Sequence, residues 1–393
     1  MTSHILFFRQ GAFSHINERV AGWLREQFPA CDLIEVDILQ DIIKPSRYVV
    51  GRAGATALLT YLPRILQGDR DLRNIFYRTP YLFRAIRRRI AEKYSVFKPT
   101  TLFTFQTQSL YDASMEGIPH FLYTDHTHLA NLRYPGANRR QLFSPAWIQM
   151  ERNLYHRTAA NFVMSDFVRN SLIEDYSCDP AKVEIVGAAP NMPPPATPPD
   201  NDGYTNHTIL CVGVDWQRKG GPILIEAFRR VLAKFPDARL LIAGASPAIN
   251  APNIEIHGRI PPAEVSRLLL RSSVVAFPSL REPQGIFPIE ALMHGIPVIA
   301  SNIAAIPEVV HDGKFGRLIP PRNADALATA LLDLLSNPAL CRQYGEAGRQ
   351  HVDAHYSSGL VSRRMGAAIR ASLALPTREP ATASSHGMVP ELS

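Results

Sequence analysis

Short apolar runs alternate with longer amphipathic stretches along almost the whole chain. In the first half the runs fall at 5–8, 33–38, 101–105, 120–124, 161–164 and 183–186. Between them lie segments such as 16–28 and 145–157, whose apolar residues recur at helical spacing. A second series has runs at 207–212, 239–243, 254–257, 274–277 and 298–300. Its helical patterns fall at about 221–235, 262–271, 288–294, 324–336, 338–354 and 360–373. Runs that are apolar at nearly every position are how strands buried on both faces of a parallel sheet read. The pattern predicts an α/β fold built twice over.

The two series are separated at Pro190. From there to Tyr204 the chain carries a cluster of prolines and a polar tail, a composition that supports neither strand nor helix. The expected organisation is an N-terminal domain over 1–190, a linker over 191–204 and a second domain over 205–355. A last helix spans 356–376. Residues 377–393 are rich in Ala, Ser and Pro and are expected to be disordered.

Composition narrows the class. With 393 residues and 46% hydrophobic content, the chain can bury two full cores. No apolar run approaches the roughly 20 residues of a membrane span, and the first strand begins too early for a signal peptide, so a cytoplasmic location is expected. Four cysteines stand far apart and match no metal or redox spacing. The net charge is +7. The first 100 residues hold sixteen Lys and Arg against nine Asp and Glu, so the whole excess is N-terminal. A basic half favours an anionic substrate or surface.

The densest chemistry lies between the runs at 274–277 and 298–300. A loop with Gly285 precedes a helix that Pro288 opens in its first turn and Gly295 closes. The free N–H groups and positive dipole end of such a helix suit a phosphate. Glu282 stands before the loop and Glu290 is expected inside the first helical turn. Alone, Glu290 reads equally as a group that satisfies the helix start, and Glu282 as a solvated charge. Arg218 and Lys219 sit among glycines before the helix at 221–235. There they are either a solvated basic turn or cations set against a diphosphate. Asp125, His126 and His128 follow a strand directly, at the carboxyl end where open sheets bind ligands. The His-x-His spacing also fits a metal, without an obvious third ligand. In 83–94, Phe83, Ile86, Ile90 and Tyr94 form a helical stripe ringed by Arg84, Arg87, Arg88, Arg89 and Lys93. That segment is either a core helix with a solvated face or a contact for an anionic membrane. No recognition motif for nucleic acid accompanies the charge.

Taken together, Glu282 and Glu290 with Gly285 between them, then Ala291-Leu292 and Gly295-Ile296-Pro297-Val298, resemble the donor-site signature of retaining glycosyltransferases of family 4. The likeness continues through Pro307-Glu308-Val309-Val310, Asp312-Gly313, Gly316 and Leu318-Ile319-Pro320. The resemblance implies the GT-B fold, two Rossmann-like domains facing across a cleft, with the last helix crossing back to the N-terminal domain. It implies that N–H groups near Gly285, Ile286 and Phe287 hold the diphosphate of a nucleotide sugar. Glu290 would then take the ribose hydroxyls and Glu282 those of the transferred sugar. Lys219 matches the family's lysine, and His126, with His128 in reserve, its histidine beside the sugar. Gly11 is where backbone approaches the ligands. Val214 stands where relatives carry an arginine, so Arg218 either takes over that charge or the site is weaker. Asn191 lies where relatives have Asn-Gly, but Met192 follows it. The implied reaction uses no metal or other cofactor and moves a sugar to an acceptor hydroxyl with retention. A same-fold phosphorylase, a sugar-nucleotide epimerase and a non-catalytic nucleotide-sugar binder are the alternatives.

Overall fold

The computed structural model describes residues 2–11, 16–67, 72–195 and 201–375. Of the ranges read above, 196–200 in the linker and 376–393 at the end lie outside the described residues. The first half contributes β1 (Ser3–Arg9), β2 (Cys31–Asp37), β3 (Thr101–Thr107), β4 (His120–Thr124), β5 (Ala160–Val163) and β6 (Val183–Ile185). The second contributes β7 (Thr208–Val212), β8 (Arg239–Ala243), β9 (Ile254–Gly258), β10 (Val274–Phe277), β11 (Val298–Ser301) and β12 (Gly316–Ile319). They form two sheets of six parallel strands, ordered β2-β1-β3-β4-β5-β6 and β12-β11-β10-β7-β8-β9. In each, the chain starts in the middle and reverses direction once, which leaves a crevice beyond the carboxyl ends of the central strands.

Helices cover both faces. They are α1 (Ile16–Gln27), α2 (Arg47–Leu66), α3 (Leu72–Phe76), α4 (Pro80–Lys93), α5 (Pro145–Arg157) and α6 (Asp166–Asn170) in the first half. The second has α7 (Gly221–Lys234), α8 (Pro262–Leu270), α9 (Ile286–Met293), α10 (Ile306–Val310), α11 (Ala324–Leu335), α12 (Pro338–His355) and α13 (Ser358–Ser372). The alternation of strand side chains divides the N-terminal core. Phe7, Phe103, Phe105, Phe121 and Phe162 pack on the α1 side. Leu6, Phe8 and Val36 face Leu82, Ile86 and Ile90 of α4. Between α12 and α13 the chain breaks at Ser357, whose side chain caps the new helix. Helix α13 then lies against α1: Trp23 Nε1 donates to Ser358 Oγ at 2.8 Å and Gln27 Nε2 to Ser362 Oγ at 3.1 Å.

Several elements depart from the pattern read in sequence. Strand β12 is absent from the apolar runs of the sequence, because only Leu318 and Ile319 of its four residues are apolar and Arg317 sits between Gly316 and Leu318. Strand β2 ends at Asp37. The Asp37 carboxylate accepts from the N–H groups of Leu39 and Gln40, which turns Ile38 into the helical segment Ile38–Ile43. Helix α2 is apolar on nearly all sides, which hides its period. Tyr48, Leu58, Leu59, Leu62 and Leu66 remain exposed on it.

Helix α4 buries Phe83, Ile86 and Ile90 as core, and the Tyr94 ring that follows it is also buried. Its basic residues are not all free for a partner. Arg87 lies 3.5 Å from the buried carboxylate of Asp112, which Arg157 also contacts at 2.8 Å. Lys93 Nζ donates to the Asp41 carbonyl at 3.2 Å and Arg88 pairs with Glu92 at 2.7 Å.

Candidate active site

Helix α9 starts at Ile286, two residues before Pro288, because Gly285 adopts φ +78° and serves as its cap. Glu290 therefore sits in the second turn, not the first. The first ladder bond runs from Ile289 N to Gly285 O at 3.3 Å, so the N–H groups of Ile286 and Phe287 precede it. A Cβ on Gly285 would come within 2.4 Å of Ile306 Cδ1. The position needs glycine both for its backbone angle and for the close approach of α10.

Lys219 and Arg218 reach the same carboxylate. Lys219 Nζ lies 2.6 Å from Glu282 Oε2, and Arg218 Nη1 lies 3.2 Å from that oxygen. The Lys219 stem passes over Gly213, where a Cβ would meet it at 2.5 Å, and its ammonium sits 4.3 Å above the Phe277 ring. Glycine at 213 makes room for the lysine to cross, and the ring face holds its head. Val214 is 60% exposed. Arg218 thus brings a second cation to Glu282, in the loop where the arginine usual at position 214 is missing.

Across the cleft, the loop after β4 presents Asp125 and His126. The loop is fixed from beneath. Thr127 Oγ1 and Ser171 Oγ are 2.6 Å apart, and Thr124 Oγ1 donates to the His126 carbonyl at 2.8 Å. The buried Glu151 accepts from Ser109 Oγ at 2.7 Å, Tyr155 OH at 3.1 Å, the Tyr176 hydroxyl and, at 3.4 Å, the His128 N–H. The two histidines then part company. His128 Nε2 accepts from Phe143 N at 2.8 Å, and its ring packs between Phe143 and Trp147. His126 Nδ1 is buried with no hydrogen-bond partner among the described residues. Burial pushes the His126 imidazole down to about 4; Asn131 opposes this and Arg281 reinforces it. It is neutral at pH 7, able to donate at one nitrogen and accept at the other. Burial also pushes the Asp125 carboxyl up to about 6, its own backbone N–H pulls it down, and the Glu282 charge across the cleft adds to the rise.

Glu290 faces the linker. Its Oε1 accepts from Asn191 N at 2.7 Å and Met192 N at 3.3 Å. It is 7% exposed, and burial pushes its carboxyl up to about 7 against the pull of those N–H groups and of Arg19. Both of these bonds go to Oε1. Gly11, at φ +62°, accepts from Asn17 Nδ2 at 2.7 Å at the carboxyl end of β1, and a Cβ there would meet nothing within 4 Å. Gly11 is thus a turn residue at the end of β1, with no close approach among the described residues to explain it.

Sequence reasoning missed several cleft residues. Arg19, on α1, faces Glu290 and Tyr123. Asn191 holds Glu290 through its backbone and keeps its side-chain oxygen buried and unpartnered. Glu308 caps α6 across the domain boundary, accepting from Asp166 N at 2.8 Å and Phe167 N at 2.9 Å. The proline before Glu308 and its place in the signature were the only signals for it.

The geometry can be set beside known proteins. Residues 201–351 match the model of the glycosyl transferases group 1, and residues 48–188 that of glycosyltransferase family 4. A phosphatidyl-myo-inositol mannosyltransferase of Mycobacterium leprae is 30% identical over 226 residues, 54% of this chain and 60% of that protein. A GDP-mannose-dependent monoacylated alpha-(1-6)-phosphatidylinositol monomannoside mannosyltransferase of Corynebacterium glutamicum is 31% identical over 195 residues, 44% of this chain and 51% of that one. The matches thus span between half and three fifths of the length of these relatives. Among solved structures, the sucrose-phosphate synthase of Thermosynechococcus elongatus superposes with a TM-score of 0.68 at 16% identity, over 95% of this chain and 99% of that one. Anabaena HepE in complex with UDP and glucose gives 0.61 at 14% identity, over 94% of this chain and 100% of that one. WaaG, a glycosyltransferase involved in lipopolysaccharide biosynthesis, gives 0.63 at 15% identity, over 93% of this chain and 99% of that one. These neighbours share the GT-B fold with this chain.

Proposed function

We propose a reaction for a chain that belongs to the family 4, group 1 glycosyltransferases: it moves a sugar from a nucleoside diphosphate sugar to an acceptor hydroxyl, with retention at the anomeric carbon. The observation that carries this reading is the Glu282–Lys219–Arg218 cluster, set beside the open N-terminus of α9 and opposite Asp125 and His126. The two cations both lie against Glu282. A diphosphate laid against Gly285, Ile286 and Phe287 shares those cations, and Glu282 turns to accept hydroxyls of the transferred sugar. Glu290 accepts from the ribose. His126, neutral and unpartnered at Nδ1, meets a sugar hydroxyl.

The chemistry balances without a protein nucleophile. The bond from the anomeric carbon to the diphosphate oxygen breaks and a bond to the acceptor oxygen forms on the same face. The acceptor proton passes to the departing diphosphate. Lys219, Arg218 and the helix N-terminus stabilise the charge that develops on the leaving group, which is electrostatic work set up before the reaction. We also propose that no metal takes part, since these groups do the neutralising.

Cytoplasmic action at a membrane surface is a further part of the proposal. The relatives above are named for phosphatidylinositol acceptors, no described helix is long and apolar enough to cross a membrane, and the N-terminal half carries the charge excess. Arg84 and Arg89 of the 83–94 segment are the residues offered to anionic lipid, because Arg87, Arg88 and Lys93 are engaged within the domain.

A panel of nucleotide sugars, scored for thermal shift and then for nucleoside diphosphate release, tests the reading. A bound donor stabilises the fold by mass action. Release that needs an acceptor supports a transferase. Release of sugar phosphate with inorganic phosphate would make it a phosphorylase. An altered donor without release would make it an epimerase, and a shift with no reaction a binder.

A further inference from the structure

One cavity of about 660 Å³ opens beside His126, and three arginines line it: Arg78, Arg140 and Arg281. Asn131, Asn138 and Gln141 add amides, and no Asp or Glu is among the described residues of its wall. The arginines come from separate elements. Arg78 precedes α4, donates from Nη1 to the Asn74 carbonyl at 2.9 Å, and stacks its guanidinium 4.8 Å from the Phe143 ring centre. Arg140 sits in the turn Arg139–Gln141, which the Asn138 side chain caps at 2.9 Å. Arg281 reaches over from the second domain, 3.4 Å from Gln141 Oε1 and 5.8 Å from the Tyr134 ring centre. Its charge is felt at His126, whose imidazole it helps keep neutral.

This cavity is not the place assigned to the donor diphosphate. Arg218 lines a second cavity of about 450 Å³, which meets the first at Gln141 and Arg281. The arginine-lined space therefore lies beside His126, in walls that come from the N-terminal domain except for Arg281 of the second.

We infer that the acceptor carries a phosphate ester, held by Arg78, Arg140 and Arg281 while its hydroxyl reaches the space between His126 and Glu282. The inference rests on the transferase reading for the word acceptor, but the anion site stands on its own geometry. Three guanidinium forks outnumber the two oxygens of a carboxylate and match the three acceptor oxygens of a phosphomonoester. Charge at this position also favours an anionic acceptor over a neutral sugar, which offers the guanidinium groups no charge-assisted hydrogen bond.

The test uses the full chain and sn-glycerol 3-phosphate as probe, with glycerol as the neutral control, by phosphorus NMR titration and calorimetry. Arg140→Glu is the main variant, since Arg140 is exposed and its reversal leaves the core untouched. Arg281→Ala is the second. The probe is expected to bind where glycerol does not, and each variant to weaken it about tenfold or more, the scale of one hydrogen-bonded charge. UDP and GDP affinity should change less than twofold in Arg140→Glu. Equal probe binding by wild type and both variants would overturn the inference. So would a parallel loss of UDP or GDP binding, which would give the arginines to the donor.

A lipid source is separated from a soluble one by competition. Phosphatidic acid vesicles that displace the probe, where phosphatidylcholine vesicles do not, identify a lipid headgroup; failure of both leaves a free ester. If no nucleotide sugar reacts with any acceptor while the probe still binds, the transferase reading fails and the anion site survives.

Discussion

Gly285→Ala probes the helix start on which the donor site depends. Two costs follow from the structure. A side chain at φ +78° is held in the left-handed region, worth roughly 1–2 kcal/mol. The new methyl also meets Ile306 Cδ1 at 2.4 Å in a fully buried spot, an overpacking cost of about 1–3 kcal/mol. The sum is about 2–5 kcal/mol unless the loop relaxes by turning the Ile286 and Phe287 N–H groups away from the cleft. Either response costs the diphosphate its seat. Urea unfolding reads the first outcome and calorimetry with UDP and GDP reads the second. Adding Ile306→Val removes the offending Cδ1 and should restore the overpacking share, less about 0.5–1.5 kcal/mol for the lost methylene, but not the backbone share. A Gly285→Ala protein with wild-type stability and wild-type nucleotide affinity would refute the role given to α9.

Lys219→Ala should keep the fold, because Arg218 still partners Glu282, and should lower turnover about 10²–10³-fold; unchanged turnover removes Lys219 from the mechanism. EDTA should leave turnover nearly intact, whereas its abolition with rescue by Mn²⁺ or Mg²⁺ would bring His126 and His128 forward as ligands. Glu290 gives a pH signature. Its folded carboxyl titrates at about 7, above the ordinary value of 4.5, so the folded state holds a proton the unfolded state has lost. Wild-type stability should therefore fall relative to Glu290→Gln as pH rises from about 4.5 to 7, while nucleotide affinity rises over the same window; parallel profiles for the two proteins would contradict this. Replacing Arg84 and Arg89 with Gln should weaken flotation with anionic vesicles at low salt, each charge being worth about 1 kcal/mol, and equal flotation of wild type and variant would reject the surface.

The α/β architecture was legible because parallel strands buried on both faces are apolar at every position, as Ile5, Leu6, Phe7 and Phe8 are. What hid β12 and α2 was the reverse condition: one has too few apolar residues and the other too many to show a period. At the site, Glu282, Lys219 and His126 could be picked out through the resemblance to the family signature; their places beside glycines or strand ends left the bland readings open. The sequence preferred His126 and held His128 in reserve, and what sets the two apart in the structure is not local: the Phe143 N–H, fifteen residues away, occupies His128 Nε2. Glu308, Arg19 and Arg281 act across the domain boundary, and a contact made by folding one half onto the other leaves no local pattern.

Proton NMR of a single reaction mixture tests the central claim most directly. The mixture holds the protein, the nucleotide sugar that most raises its melting temperature, and an acceptor panel that includes phosphate esters. The account predicts release of nucleoside diphosphate in step with a new glycoside whose anomeric configuration matches the donor's. A product of inverted configuration, or a donor that stays intact with every acceptor, would contradict it.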